Sequence, residues 1–296
     1  MEARITDVVL RDGLQDEPVL VSTADRCRLV DTLADAGLRE LEVASFVSAR
    51  RVPQMGGAEE LLAALPRHTG VRLTGLALNR NGARRAVGTG LDELRLAVSA
   101  STTHSSANAG RSTDEAFEEI AAAVEDLRVN EPQLDLVGAI ATAFVCPEEG
   151  AVPLDRVLEL VRRFYHIGLR HVNLADTMGT AEPEHVARTV DAVRGTFADL
   201  EVGLHLHDRD GAALASVDLA MGLGVRRFDS SLGGLGGCPF ASGAYGNLAT
   251  ESLITHLHRG GVTTGIDEQG LRDAAALLRA VIDRSPPLPA PVNGGP

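Results

Sequence analysis

Between residues 5 and 229 the chain alternates short apolar runs with helix-forming stretches, eight times over. The runs at 5–10, 40–44, 71–78, 93–98, 134–145, 171–175, 201–206 and 226–229 are rich in Val, Ile, Leu and Ala and stop on polar or turn residues, as buried strands do. Eight such units in about 280 residues, with no second block of composition, predict an α/β chain closed as a (β/α)8 TIM barrel rather than a doubly wound sheet. Residues 99–112 read as a polar loop, and the helical stretches 247–259 and 268–283 as extra helices at the C-terminal end. One catalytic domain over 1–284 is expected, followed by a disordered Pro/Gly-rich tail over 285–296.

In such a barrel the polar residues that end the strands meet at one mouth, where active sites are built. Those ends carry Arg11 and Asp12, Glu42, Asn79, Asp176 and Thr177, and His205 and His207. Positions i and i+2 of a strand share a face, so both imidazoles of His205-Leu206-His207 point to one spot. His256-Leu257-His258 repeats the spacing inside a helical stretch, where i and i+2 diverge, and reads as helix surface. Two imidazoles, a carboxylate and an amide oxygen, without a thiolate set, suit a divalent cation such as Mg2+ or Mn2+. Asp12 is the natural third ligand. Any one of these polar residues alone would be read as a loop or a satisfied core contact; their shared placement carries the argument.

Composition removes several classes. All 28 basic residues are arginine, so no amine is present for Schiff-base or pyridoxal chemistry. A formal charge of -13 argues against a nucleic-acid partner. The absence of a long apolar run and of a signal-peptide pattern leads to the expectation of a cytoplasmic enzyme with no membrane partner. Cys27, Cys146 and Cys238 are odd in number and widely spaced, unlike a disulfide framework. Cys27 falls in a helical pattern and reads as packing. Cys146 ends a strand and stays open between structural and functional roles. Cys238 sits in the loop Gly233-Gly234-Leu235-Gly236-Gly237-Cys238-Pro239, either a flexible connector or a lid that could bring a thiol to the mouth.

The segments Arg11-Asp12-Gly13-Leu14-Gln15, Glu42-Val43-Ala44-Ser45-Phe46-Val47-Ser48, Val52-Pro53-Gln54-Met55, His205-Leu206-His207-Asp208, Gly234-Leu235-Gly236-Gly237-Cys238-Pro239 and Gly246-Asn247-Leu248-Ala249-Thr250 resemble 3-hydroxy-3-methylglutaryl-CoA lyase, in order and over most of the chain. The resemblance implies a metal-dependent retro-Claisen lyase with an acyl-CoA substrate. It implies Asp12, His205, His207 and Asn247 as metal ligands, with Asn247 opening the helix after the glycine-rich loop. Arg11 would hold the substrate carbonyl, Glu42 would position substrate or accept a proton, His205 could act as base, and Cys238 would handle the proton at the departing carbon. Gln15, Asn79, Asp176 and Thr177 are expected to bind substrate. A homodimer is expected from the resemblance and from the frequency of symmetric dimers.

The sequence also departs from that family. Arg209-Asp210-Gly211 follows the histidine motif, Pro18 lies in the region where a lysine is usual, and the loop Ser99-Ala100-Ser101-Thr102-Thr103-His104 lacks a Ser-Glu pair. With no lysine, arginines such as Arg50, Arg51 or Arg80 would have to meet CoA phosphates. Two rivals remain: a Claisen-condensing acyltransferase joining acetyl-CoA to a 2-keto acid, and a metal-binding barrel without catalysis. Arg11, Glu42 and Cys238 speak against the second, because a bare metal shell needs none of them.

Overall fold

The computed structural model describes residues 2–237, 241 and 243–288. Eight parallel strands close a barrel in the order β1 (Arg4–Asp7), β2 (Glu40–Ser45), β3 (Arg72–Ala77), β4 (Glu93–Ser99), β5 (Asp135–Ala141), β8 (His171–Asp176), β9 (Glu201–Leu206) and β10 (Arg227–Ser230), which pairs again with β1. The remaining strands, β6 (Val145–Cys146) and β7 (Gly150–Ala151), form a small antiparallel hairpin above the barrel. The TIM barrel and the C-terminal helices expected from the sequence are present.

Strand alternation sorts the residues into two environments. Leu41, Val43, Leu94, Leu96, Val172, Leu174, Val202 and Leu204 are buried against the helices. The helices answer with apolar stripes at helical spacing, such as Val157, Leu160, Val161 and Phe164 on α6 (Leu154–His166). Gly138 on β5 makes room for that stripe, since a Cβ there would lie 2.7 Å from the Phe164 ring.

The barrel interior, usually filled by bulky apolar side chains, is here largely charged. Glu40, Glu42, Glu93, Arg95, Asn173, Arg227 and Asp229 are all buried. They are held by mutual pairing: Arg227 donates to Glu40 (2.8 Å) and Glu93 (3.0 Å), and Arg95 to Glu93 (3.2 Å) and Asp229 (2.5 Å).

Several expected boundaries move, for local reasons. The first strand stops at Asp7 rather than residue 10, because the Val8 carbonyl accepts from the N–H groups of Arg11, Asp12 and Gly13 and winds Val9–Gly13 into one wide π-type turn. The fifth strand ends at Ala141, where Thr142 takes φ 50°. The expected loop 99–112 contains a helix, α4 (Thr102–Ala109), capped by the Ser101 hydroxyl accepting from the His104 N–H. Its Ser/Thr/Asn composition has no apolar period to betray it. The ordered chain also continues past 284: Leu20 N–H donates to Pro286 O (2.8 Å) and Leu288 N–H to Pro18 O (3.0 Å). The expected disordered tail therefore starts at least four residues too early, and 289–296 lie outside the described residues. Among the described residues no helix is long and apolar enough to cross a membrane.

Candidate active site

The π-type turn after β1 carries Arg11 and Asp12 into the mouth, and both are buried there. Gly13 lets the turn close, since a Cβ would meet Val9 Cγ2 at 2.8 Å and Ser231 Oγ at 2.9 Å. Across the mouth His205 and His207 project to one side, with their Nε2 atoms 3.2 Å apart. Asp12 Oδ2 lies 3.9 Å from His205 Nε2 and 3.8 Å from His207 Nε2. The expected convergence on one point is therefore present, as is the divergence of the control pair: His256 pairs with Asp218 and His258 with Glu268 on the surface of α9 (Thr250–Arg259).

Hydrogen bonds place a proton on Nδ1 of each histidine. His207 Nδ1 lies 2.7 Å from the Tyr245 carbonyl, which can only accept, so the proton is on Nδ1. His205 Nδ1 lies 3.1 Å from Asp229 Oδ2. Burial alone would raise the Asp229 carboxyl; the Arg95 charge and the His205 hydrogen bond overcome it and hold the group far below the usual carboxylate range, hence ionised and accepting. The Nε2 lone pair of His207 therefore faces His205 Nε2, and both Nε2 atoms turn to the same point. Burial, and next the neighbouring His205, push His207 down to about 4, so it is neutral at pH 7. Asp12 is also lowered: burial opposes this, but Arg11, the two histidines and Asn247 outweigh it.

Asn247 completes the group by a route other than the expected one. It does not open a helix; α9 starts at Thr250, and Asn247 lies in an extended segment that bridges to His207. Leu248 N–H donates to Leu206 O (2.9 Å) and Asp208 N–H to Gly246 O (2.8 Å), which fixes Asn247 beside the histidine pair. Its Nδ2 donates to Asp12 Oδ2 (2.6 Å) and Leu235 O (2.9 Å), while its buried Oδ1 has no partner.

These residues fit a divalent cation on three counts. Two imidazole lone pairs, a carboxylate and an orphaned amide oxygen form a hard, mixed N/O donor set. Each histidine is oriented by a partner on its other nitrogen, as metal-bound histidines are. Finally, the buried network joins Arg11, Arg95 and Arg227 to Asp12, Glu40, Glu42, Glu93 and Asp229, an excess of two negative charges that a divalent cation would neutralise.

The other expected residues divide. Arg11 donates to Asp12 and to Glu42 (2.9 Å), and Gln15 to Asp12 Oδ1 (2.8 Å) and Gly237 O (3.3 Å); Arg11 and Gln15 both line the pocket. Thr177 lines it too, and because its Oγ1 accepts from Thr142 N–H (2.8 Å), its O–H is left to donate. Asn79 is instead the N-cap of α3 (Arg80–Arg85), accepting from Gly82 N–H, and it does not line the pocket. Asp176 folds one oxygen back on its own turn, Oδ2 accepting from Ala181 N–H (3.0 Å), while its buried Oδ1 has no partner, and it does not line the pocket. Arg80 is held bidentately by Asp126 (2.7 and 2.8 Å), and Arg51 donates to the carbonyls of Ala107 and Asn108. Cys238 lies outside the described residues; Cys146 is buried, with its Sγ 3.1 Å from Ser101 Oγ.

The open pocket above this centre has a volume of about 140 Å3. Its apolar lining comes from Val47, Val52, Leu76 and Leu78 and from the small residues Ala97, Ala139, Ala141 and Ala175. His104 and Asn108 of α4, Arg95 and Asp229 also line it, and none of these was singled out from the sequence. A charged Arg95 within the apolar alternation of residues 93–98 was the available signal.

Gly236 shows how tightly the loop packs on the centre. Its φ is +101°, and a Cβ would lie 2.6 Å from Asp12 O and 2.7 Å from Asn247 Nδ2. Gly236→Ala is expected to cost about 1–3 kcal/mol of stability and to weaken divalent-metal binding about tenfold or more. Thermal melts and a Mn2+ titration read the two effects, and wild-type values in both would show that the loop adapts.

A parallel barrel whose mouth gathers this donor set beside a buried arginine puts the chain among the metal-dependent lyases. Residues 2–278 match the HMGL-like family model, and the chain belongs to that family. Hydroxymethylglutaryl-CoA lyase of Pseudomonas mevalonii is 38% identical over 94% of this chain and 91% of its own. The (R)-citramalyl-CoA lyase of Chloroflexus aurantiacus is 39% identical over 99% of this chain and 95% of its own. Among solved structures, an HMG-CoA lyase from Acenitobacter baumannii, in complex with coenzyme A and 3-methylmalate, has a TM-score of 0.91 and 35% identity, covering 100% of this chain and 97% of that one.

Proposed function

We propose that this lyase cleaves a 3-hydroxyacyl-CoA by a retro-Claisen reaction, releasing acetyl-CoA and a keto acid. The observation that carries the reading is the buried cluster of Asp12, His205, His207 and the open Asn247 oxygen, with the Arg11 guanidinium in the same pocket. Mg2+ or Mn2+ is the proposed ion, and Asp12, His205, His207 and Asn247 are the residues that would hold it. When bound, it supplies Lewis acidity to the substrate hydroxyl.

The protein's own groups do the rest. The hydroxyl loses its proton, the carbinol carbon becomes a carbonyl, and the bond to the thioester methylene breaks with its electron pair going to an enolate. Neither histidine is the proton acceptor in this reading, because each ring donates through Nδ1 and turns its only lone pair to the metal position. The acceptor we assign is Glu42, fully buried behind Arg11 and outside the pocket lining, whose Oε1 has no partner while Oε2 holds Arg11. Arg11 stabilises the enolate oxygen; its Nε has no protein partner. Gln15 fixes Asp12, and Thr177 offers its hydroxyl to the substrate. Cys238 is the proposed donor that returns a proton to the methylene. A cytoplasmic homodimer belongs to the same reading.

The relatives' names suggest the two substrates to try. Acetyl-CoA release is to be measured with metal-stripped protein on 3-hydroxy-3-methylglutaryl-CoA and on citramalyl-CoA, before and after Mg2+ or Mn2+ is restored. Metal-dependent release from either supports the proposal, and the ratio of kcat/KM values assigns the acyl group. Release from neither, together with condensation of acetyl-CoA with a 2-keto acid, would replace it by the acyltransferase reading.

A further inference from the structure

We propose that Arg95 is a positioning residue for this reaction, setting the metal ligand His205 through Asp229 and the enolate-binding Arg11 through Glu42. The inference rests on the lyase reading above. Arg95 sits on β4 inside the barrel, 2% exposed, in the floor of the pocket. All three guanidinium nitrogens are engaged: Nη1 lies 2.5 Å from Asp229 Oδ2 and 3.6 Å from Glu42 Oε2, Nε 3.2 Å from Glu93 Oε1, and Nη2 3.2 Å from Thr6 Oγ1.

The two carboxylates nearest Nη1 lead to different halves of the site. Asp229 Oδ2 accepts from Arg95, from Asn173 (2.8 Å) and from His205 Nδ1 (3.1 Å), so its position determines where the His205 ring points and which nitrogen is bare. Glu42 Oε2 accepts from Arg11 Nη2 (2.9 Å). One rigid, planar group on a barrel strand therefore spaces the carboxylate behind the metal ligand from the carboxylate behind the catalytic arginine. Filling this interior position would not call for an arginine. Apolar side chains are what barrels normally place there, and a buried ion network is often no more stable than its apolar replacement. Both carboxylates face the single atom Nη1, and holding that atom between them calls for the further anchors that Nε makes to Glu93 and Nη2 to Thr6, which a lysine with one nitrogen lacks.

Arg95→Met and Arg95→Lys, made in the full chain, test this. Mn2+ affinity is measured without substrate, kcat and KM on 3-hydroxy-3-methylglutaryl-CoA, and folding by thermal melts. Arg95→Met is expected to weaken Mn2+ binding about tenfold to a hundredfold, the usual effect of removing a partner behind a metal ligand, and to lower kcat with KM within about threefold. Arg95→Lys, with one charge for Asp229 but without the anchors to Glu93 and Thr6 that hold that charge beside Glu42, is expected to recover Mn2+ affinity and leave kcat low. In Arg95→Met/Asp229→Asn the loss of Mn2+ affinity should equal that of Asp229→Asn alone, because both act along one path.

A folded Arg95→Met with wild-type Mn2+ affinity and kcat, or additive losses in the double variant, would overturn the proposal. If Arg95→Met does not fold, Arg95→Lys decides: wild-type values of both quantities reject the positioning role. A wild-type protein that cleaves no acyl-CoA would reject the lyase reading instead, and the Mn2+ affinities would still report on the path from Arg95 to His205.

Discussion

Arg11→Met is expected to lower kcat by about 10²- to 10³-fold, the usual cost of removing a donor aimed at developing negative charge, while Mn2+ remains bound. The guanidinium is the only cation that both lines the pocket and contacts a metal-ligand candidate directly, among the described residues. Methionine keeps much of its length and none of its charge. The substitution also leaves Glu42 with only the more distant Arg95 at 3.6 Å, so a loss of stability accompanies it, about 3–5 kcal/mol for an opened buried pair. The two effects separate experimentally: kcat at saturating substrate, measured well below the melting temperature, reads catalysis, and the melt reads the broken pair. Arg11→Lys restores a charge without the fork and should fall between the two. A lower melting temperature with wild-type kcat would return Arg11 to a structural role.

His207→Ala should abolish metal-dependent acetyl-CoA release by removing one of the two imidazoles whose Nε2 atoms meet. The most direct reading needs no substrate. A ligand at about 100 times its Kd stabilises the folded state by about 2.7 kcal/mol, so adding Mn2+ to stripped wild-type protein should raise its melting temperature by several degrees. In His207→Ala that shift should vanish, because the remaining Asp12, His205 and Asn247 leave the position short of a donor. His258→Ala is the control, since His258 bonds Glu268 and Thr264 on the helix surface and its loss should leave the Mn2+ shift intact. An unchanged shift in His207→Ala would place the metal elsewhere.

The parts of this site that could be read from the chain are those whose spacing is local. The i, i+2 rule converts His205-Leu206-His207 into two imidazoles on one face, and the helical setting of His256 and His258 separates them. Arg11 and Asp12 were found at the end of a strand, although the turn that delivers them is a π-type winding around the Val8 carbonyl. Asn79 and Asp176, expected on the same rule, stand at strand ends but do not line the pocket: Asn79 caps a helix, and Asp176 turns Oδ2 to a backbone N–H of the turn that follows. A strand end marks a place near the mouth, and the local hydrogen-bond demand of the next turn decides whether the side chain reaches it.

Hydrophobic periodicity, turn residues and the absence of lysine were thus sufficient in the sequence alone to establish a (β/α)8 barrel, to point at a divalent-cation mouth and to exclude Schiff-base chemistry, because each is a property of residues close together in the chain or of composition. Asn247 beside His207, Arg95 between Asp229 and Glu42, and the proton positions on the two histidines were decided only when the barrel closed. They depend on groups up to 235 residues apart, as in Asn247 donating to Asp12, and on burial that makes every unpaired charge costly, neither of which any stretch of sequence contains.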